Sequence, residues 1–87
     1  MEIQQLIGFI AVAQNGSFSR AAQKTFRSQP AVSLQVQSLE EELGVKRFDR
    51  MGKKKILLTR EGQMFFDLAA PMIGSFDDLK SKFSDLL

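Results

Sequence analysis

The chain contains neither cysteine nor histidine among its 87 residues. No disulfide can form, and the usual ligands of a structural zinc site are missing. A chain of this length buries only one modest hydrophobic core, so the fold has to be held together by side-chain packing alone. The same absence excludes Ser-His and Cys-His catalysis. We therefore expect a small packed protein that is no enzyme and has no metal or cofactor.

Charge is distributed unevenly along the chain, although the net charge is only +2. Between Lys46 and Arg60 seven basic residues stand against the single acid Asp49. Such a local basic field attracts polyanions, whereas acids outnumber bases beyond Arg60. The longest apolar run is far too short to span a membrane, and the N-terminus has no signal-peptide pattern, so we expect a cytoplasmic protein that does not enter membranes.

Two helices are predicted in the first part of the chain. Apolar residues recur at helical spacing over residues 2–14, and Asn15 followed by Gly16 indicates the end of this helix. Ser17 or Ser19 can cap a short second helix by accepting a bond from a free backbone N–H.

A third helix is predicted over about residues 28–43. Ser28 is a suitable N-cap, Pro30 fits the first turn, and Gly44 indicates the end. The side of this helix that faces the core is expected to carry Val32, Val36, Leu39 and Leu43.

The next segment predicts a basic β-hairpin. Two strand-like runs, residues 48–51 and 56–58, flank a turn that contains one glycine and three lysines. Together they would form a wing over about residues 48–58.

A long last helix is predicted after Thr59, which is placed to cap it, with Glu61 in its first turn. Pro71 interrupts the pattern and predicts either a bend near residues 67–71 or a restart of the helix there. An approximately heptad row of apolar residues runs along it: Phe65, Leu68, Met72, Phe76, Leu79, Phe83 and Leu86.

The order of these elements is that of a winged helix-turn-helix. We predict a mainly α fold, with a three-helix core and a two-stranded β wing over residues 1–58, followed by a long linker and dimerisation helix over 59–87. In such a fold the third helix enters the DNA major groove, where each base pair displays a distinct pattern of donors and acceptors.

The exposed side of the third helix offers groups that suit base edges. Gln29, Ser33 and Gln37 can form hydrogen bonds with bases, and Leu34 can touch thymine methyl groups, as can the neighbouring Pro30 and Ala31. The lysines of the hairpin can neutralise phosphates beside the groove.

Plainer interpretations remain open. The polar side of the third helix can be an ordinary solvated face, and the lysines an ordinary solvated turn. A winged helix can also serve as a protein–protein docking module without DNA specificity, although the basic residues argue against it. An enzyme that uses Glu40-Glu41-Glu42 or Asp77-Asp78 has little support, because adjacent residues on a helix point in different directions.

Five runs of residues together resemble the N-terminal domain of LysR-type transcriptional regulators. They follow in the family's order and spacing and cover nearly the whole chain. The runs are Gly16-Ser17-Phe18-Ser19-Arg20-Ala21-Ala22, Ser28-Gln29-Pro30-Ala31-Val32-Ser33, Leu39-Glu40-Glu41-Glu42-Leu43-Gly44, Phe48 with Arg50, and Leu58-Thr59-Arg60-Glu61-Gly62.

The resemblance implies a bacterial DNA-binding homodimer, joined through the linker helix, on an interrupted palindrome in double-stranded DNA. It also implies an effector-binding domain outside this chain, through which alone a small molecule would act, and a tetramer of the full-length protein. The residues expected at DNA are Arg27, Ser28, Gln29, Pro30, Ser33, Leu34, Gln37, Arg50, Lys53 and Lys54. The residues expected at the dimer seam are Phe65, Leu68, Met72, Phe76, Leu79 and Phe83. The first part of the linker helix would also cover the domain, whereas its later residues need a partner chain.

The chain departs from the family pattern in three places. Position 34 is often arginine and is Leu34 here, which shifts recognition toward apolar contacts. Positions 25 and 27 are usually aliphatic, and here Phe26 is expected to supply the missing core packing while Arg27 points to DNA. Pro71 is the third departure, because it lies in the dimer helix.

Overall fold

The computed structural model describes the backbone of residues 1–51 and 55–87, and the side chains of residues 1–49 and 56–87. Four helices and a two-stranded antiparallel sheet follow one another in the predicted order, and the architecture is the winged-helix fold expected from the sequence. The elements are α1 (Ile3–Asn15), α2 (Phe18–Thr25), α3 (Gln29–Leu43), β1 (Phe48–Met51), β2 (Lys55–Leu58) and α4 (Arg60–Leu86).

Local chemistry accounts for where the helices begin and end. The hydroxyl oxygens of Ser17, Ser28 and Thr59 each accept a hydrogen bond from the backbone N–H three residues further on, which satisfies a free donor in the first turn. Gly16 and Gly44 follow α1 and α3 in the left-handed conformation, with φ of 63° and 72°. The predicted caps are confirmed, and Ser17 rather than Ser19 caps α2.

The core lies where α1 crosses α2, α3 and the first half of α4. Phe9 is fully buried at its centre, and its ring centroid lies 5.1 Å from that of Phe48 and 5.2 Å from that of Phe65. On the predicted core side of α3, Val32, Val36 and Leu39 are buried, and Leu43 packs at the edge.

The prediction that Phe26 packs into the core is wrong. Its side chain is 95% exposed, and its backbone has a φ of 57°. Phe26 follows the last residue of α2, and its left-handed conformation ends that helix, so its side chain leaves the face that packs on the core. At the preceding position the Thr25 hydroxyl donates to the Ala21 carbonyl at 2.8 Å instead of packing as an aliphatic residue would.

The hairpin confirms the predicted wing strands. Phe48 pairs with Leu58 and Met51 with Lys55, so β2 begins one residue earlier than predicted. Lys53 and Lys54, expected at the tip of the wing, lie outside the described residues.

Helix α4 passes through Pro71 without a break, so the predicted alternative of a restart is wrong. Proline removes a single backbone N–H, and the remaining bonds of a 27-residue helix can carry it across that gap. Its first half packs on the core through Ala69, Ala70 and Ile73. The second half extends beyond the core and accounts for the elongated shape, 50 Å in its longest dimension.

Candidate nucleic-acid interface

The outer face of α3 brings several predicted DNA-binding residues together. Pro30, Leu34 and Gln37 succeed one another at intervals of four and three residues, which places them on one side of the helix, and all three are exposed. Leu34 is 63% exposed. Ser33 is half-buried at the edge of this face. The arrangement presents one short apolar strip beside amide and hydroxyl groups.

The first residues of α3 have contacts within the protein. The Ser28 hydroxyl accepts from the Ala31 N–H at 3.2 Å, so any contact with DNA would come in addition to its capping role. The Gln29 side chain is exposed, and its Oε1 accepts a hydrogen bond of 3.0 Å from the Ser19 hydroxyl on α2. Sequence reasoning considered Ser19 only as a helix cap and missed this contact across the turn.

The side chain of Arg27 forms a hydrogen bond within the protein. Its Nη1 donates to Gln35 Oε1 at 2.7 Å in a half-buried contact. Gln35 lies on the flank of α3 that meets Gly8 of α1, whereas Ser33 is on the opposite flank. The expectation that Arg27 points to DNA depended in part on Phe26 filling the core, which it does not do, and a DNA contact of Arg27 stays a prediction.

A groove runs between α3 and the start of β1. Ser33, Gln37 and Lys46 line it, so an exposed lysine stands close to the outer face of α3. For the wing itself, the structure gives the backbone of Arg50 within β1 and does not describe its side chain. The DNA contacts of Arg50, Lys53 and Lys54 therefore stay predictions from the sequence.

Glu40 joins α3 to the wing, a role that the sequence interpretation missed. Its Oε2 accepts from the backbone N–H of Arg47 at 3.0 Å and lies 3.5 Å from that of Phe48. The sequence did indicate that Glu40 is partly buried, because it follows Val36 by one helical turn and therefore lies near the buried side of α3. The carboxylate fixes the point at which the hairpin leaves the helical core.

Arg47 is buried, with 6% of its surface exposed. Its guanidinium carbon lies 4.9 Å from the centroid of the Phe65 ring, and its Nε has no hydrogen-bond partner among the described residues. A cation over an aromatic face is favourable, but an unpartnered buried N–H costs free energy. Arg47, which directly precedes β1, thus contacts α4 through the Phe65 ring, and the sequence pattern did not indicate this contact.

The apolar row on α4 divides into two parts. Phe65 packs on Phe9 and under Arg47, so it contributes to the domain core, and its place at a dimer seam stays a prediction. The rest of the row lies on the surface and is between 56% and 83% exposed: Leu68, Met72, Phe76, Leu79, Phe83 and Leu86. An exposed apolar row of this length is typical of a surface that another chain covers.

Comparison with known proteins agrees with this geometry. The sequence matches the family described as bacterial regulatory helix-turn-helix protein, lysR family, over residues 3–63. It is 44% identical to the HTH-type transcriptional regulator BsdA of Bacillus subtilis over 78 aligned residues. The aligned region covers 90% of this chain and 27% of BsdA.

Solved structures give the same result. The fold matches the BenM DBD in complex with catB site 1 DNA with a TM-score of 0.91 at 36% identity, over 99% of this chain and 96% of that one. It matches the CbnR DBD in complex with DNA with a TM-score of 0.86 at 34% identity, over 99% and 98% of the two chains. The chain spans about 27% of the length of curated relatives such as BsdA. It belongs to the LysR family of bacterial regulatory helix-turn-helix proteins.

Proposed function

We propose that this chain is the DNA-reading part of a LysR-type transcriptional regulator. The observation that carries the proposal is the outer face of α3, where Pro30, Leu34 and Gln37 are exposed side by side at the free surface of the helix. A helix of this diameter fits the major groove, and amide and apolar groups match the acceptors, donors and thymine methyls displayed there. The likeness to two DBD–DNA complexes supports the proposal.

The wing would lie on the neighbouring phosphates or minor groove. Lys46 stands at the groove between α3 and β1, and the hairpin that follows contributes Arg50, Lys53 and Lys54. Cations that meet phosphates raise the affinity for all sequences alike and make binding sensitive to salt. Base discrimination would therefore come from α3 and sequence-independent affinity from the wing.

The regulator would act as a homodimer. The exposed row from Leu68 to Phe83 needs a cover, and an isologous pairing of two α4 helices provides one. A two-fold protein meets a two-fold site, so the DNA target would be an interrupted palindrome. In the part of the chain that the structure describes, no helix has the length and apolarity to cross a membrane. We place the regulator in the cytoplasm, with tetramer formation and a small-molecule effector as properties of the full-length protein, and we assign no catalytic role to this segment.

Selection from a pool of duplexes with randomised centres tests the proposal, followed by fluorescence anisotropy over a salt series. The expected result is enrichment of an interrupted palindrome, with affinity that falls steeply as salt rises. Gln29→Ala should relax base preference, whereas Lys53→Ala should weaken binding to every duplex and reduce the salt slope by about one. The matched control is Lys82→Ala, which removes a lysine near the far end of α4 and should leave the slope unchanged. Absence of binding even at low salt would favour the docking module.

A further inference from the structure

The hydrogen bond between Ser19 and Gln29 connects two exposed side chains at the beginnings of α2 and α3. It lies outside the core and caps neither helix, since Ser17 and Ser28 perform those functions. An exposed bond between neutral groups competes with water and adds little to the stability of a fold. Its consequence lies in the orientation of the Gln29 side chain.

The bond decides which groups of Gln29 remain free. A carboxamide carries an acceptor oxygen and a donor NH₂ on opposite sides of the same carbon. Oε1 accepts from Ser19 on α2, which occupies one of the two acceptor sites on that oxygen, whereas the NH₂ group donates to no other described residue and is left to donate to DNA. A glutamine that pairs with adenine uses both its oxygen and its NH₂, on N6 and N7, whereas guanine offers two adjacent acceptors, O6 and N7.

We propose that Ser19 is a positioning residue that holds Gln29 as a hydrogen-bond donor and so biases it toward guanine over adenine. This inference rests on the proposed DNA-reading function. Without the serine hydroxyl the carboxamide can rotate, both acceptor sites of its oxygen can turn toward adenine N6, and the advantage of guanine shrinks. Ser19 itself need not touch DNA.

The test uses the duplex enriched by selection. The base position read by Gln29 is the one at which the Gln29→Ala variant loses its base preference. Guanine, adenine or 7-deazaguanine is placed at that position, and the affinity for each duplex is measured. The wild-type chain should favour guanine over adenine by about tenfold and lose about fivefold with 7-deazaguanine, which lacks the N7 acceptor. Ser19→Ala should reduce the preference for guanine to about threefold or less. Ser19→Thr keeps a hydroxyl and should restore it.

Three controls separate positioning from a structural effect. Ser81→Ala removes an exposed serine from the far part of α4 and should change neither ratio. Ser19→Ala should keep the wild-type melting temperature and salt slope, because it disturbs neither the core nor a phosphate contact, and in the Gln29→Ala background it should have no further effect on the base ratio.

Specific binding with an unchanged guanine-to-adenine ratio in Ser19→Ala would overturn this inference alone. So would a wild-type preference for adenine at that position. A wild-type chain that binds no sequence preferentially would overturn the proposed function as well, so the two failures are distinguishable.

Discussion

Among the glycines that the structure describes, Gly62 is the one that an added Cβ would bring closest to a neighbouring backbone atom. The residue lies in the first turn of α4, and an alanine Cβ there would stand 2.0 Å from the Arg47 carbonyl oxygen. Carbon and oxygen ordinarily approach to about 3.3 Å, so the backbone would have to open by more than about 1 Å. Thr59 resists that movement, because its N–H donates to the Arg47 carbonyl at 3.1 Å and its hydroxyl to the Lys46 carbonyl.

We expect Gly62→Ala to lower the free energy of unfolding by about 3 kcal/mol. Overpacking of this kind costs about 1–3 kcal/mol, and loss of the two hydrogen bonds at Thr59 adds about 1 kcal/mol each. The better helix propensity of alanine offsets about 1 kcal/mol of the total. In a domain of this size the melting temperature should fall by about 15 °C.

Urea and thermal unfolding followed by circular dichroism would measure the change, at matched protein concentration so that any self-association contributes equally. The control is Gly74→Ala in the same helix, where an added Cβ meets nothing within 4 Å. That variant should be as stable as the wild type or more stable by up to about 1 kcal/mol. If Gly62→Ala unfolds at the same urea concentration as Gly74→Ala, the close approach of α4 to β1 does not constrain the fold and the reasoning is refuted.

Three further predictions concern charged groups. Replacing Arg47 by methionine should stabilise the fold by about 1 kcal/mol in urea unfolding, because it removes a buried cation with an unpartnered N–H; a loss of stability would mean that its stacking on Phe65 outweighs this cost. Glu40→Ala should lower stability by about 1–2 kcal/mol and reduce the salt slope of DNA binding, since it frees the start of the wing; an unchanged slope would show that the wing is held without it. The hydrogen bond from the Met1 ammonium to Glu42 raises the pKa of that ammonium above 8.0, so its contribution is complete below pH 8 and is lost as pH rises through the raised value. The stability difference between the wild type and Glu42→Gln should therefore narrow at high pH, and a constant difference would contradict the assignment.

The sequence was most informative where structure depends on neighbours along the chain. Ser28 and Gly44 enclose α3 because a hydroxyl cap and a left-handed glycine act within one helical turn. The spacing of Val32, Val36 and Leu39 identified the buried side of that helix for the same reason. The error at Phe26 arose because burial was expected from hydrophobicity, although the conformation that ends α2 turns the ring outward.

The sequence pattern did not decide whether α4 continues through Pro71, because this depends on hydrogen bonds and packing around the proline. A proline indicates a missing hydrogen bond, but whether a helix stops there depends on the bonds and packing on both sides. Here Ala69, Ala70 and Ile73 hold that stretch against the core. The same packing holds Phe65 against the core, so the apolar row is divided between the domain core and the surface.

The amino-acid sequence alone thus determined the order of the elements, their caps, the inner and outer faces of α3 and the family to which the chain belongs. Only the tertiary structure decided that Ser19 donates a hydrogen bond to Gln29, that Glu40 accepts from the start of the hairpin, that Arg27 donates to Gln35 and that Gly62 leaves no room for a side chain. The physical reason is distance along the chain. Caps and periodicity act within a few residues, whereas these contacts join residues 7 to 15 positions apart and form only once the helices have packed at a particular angle and separation.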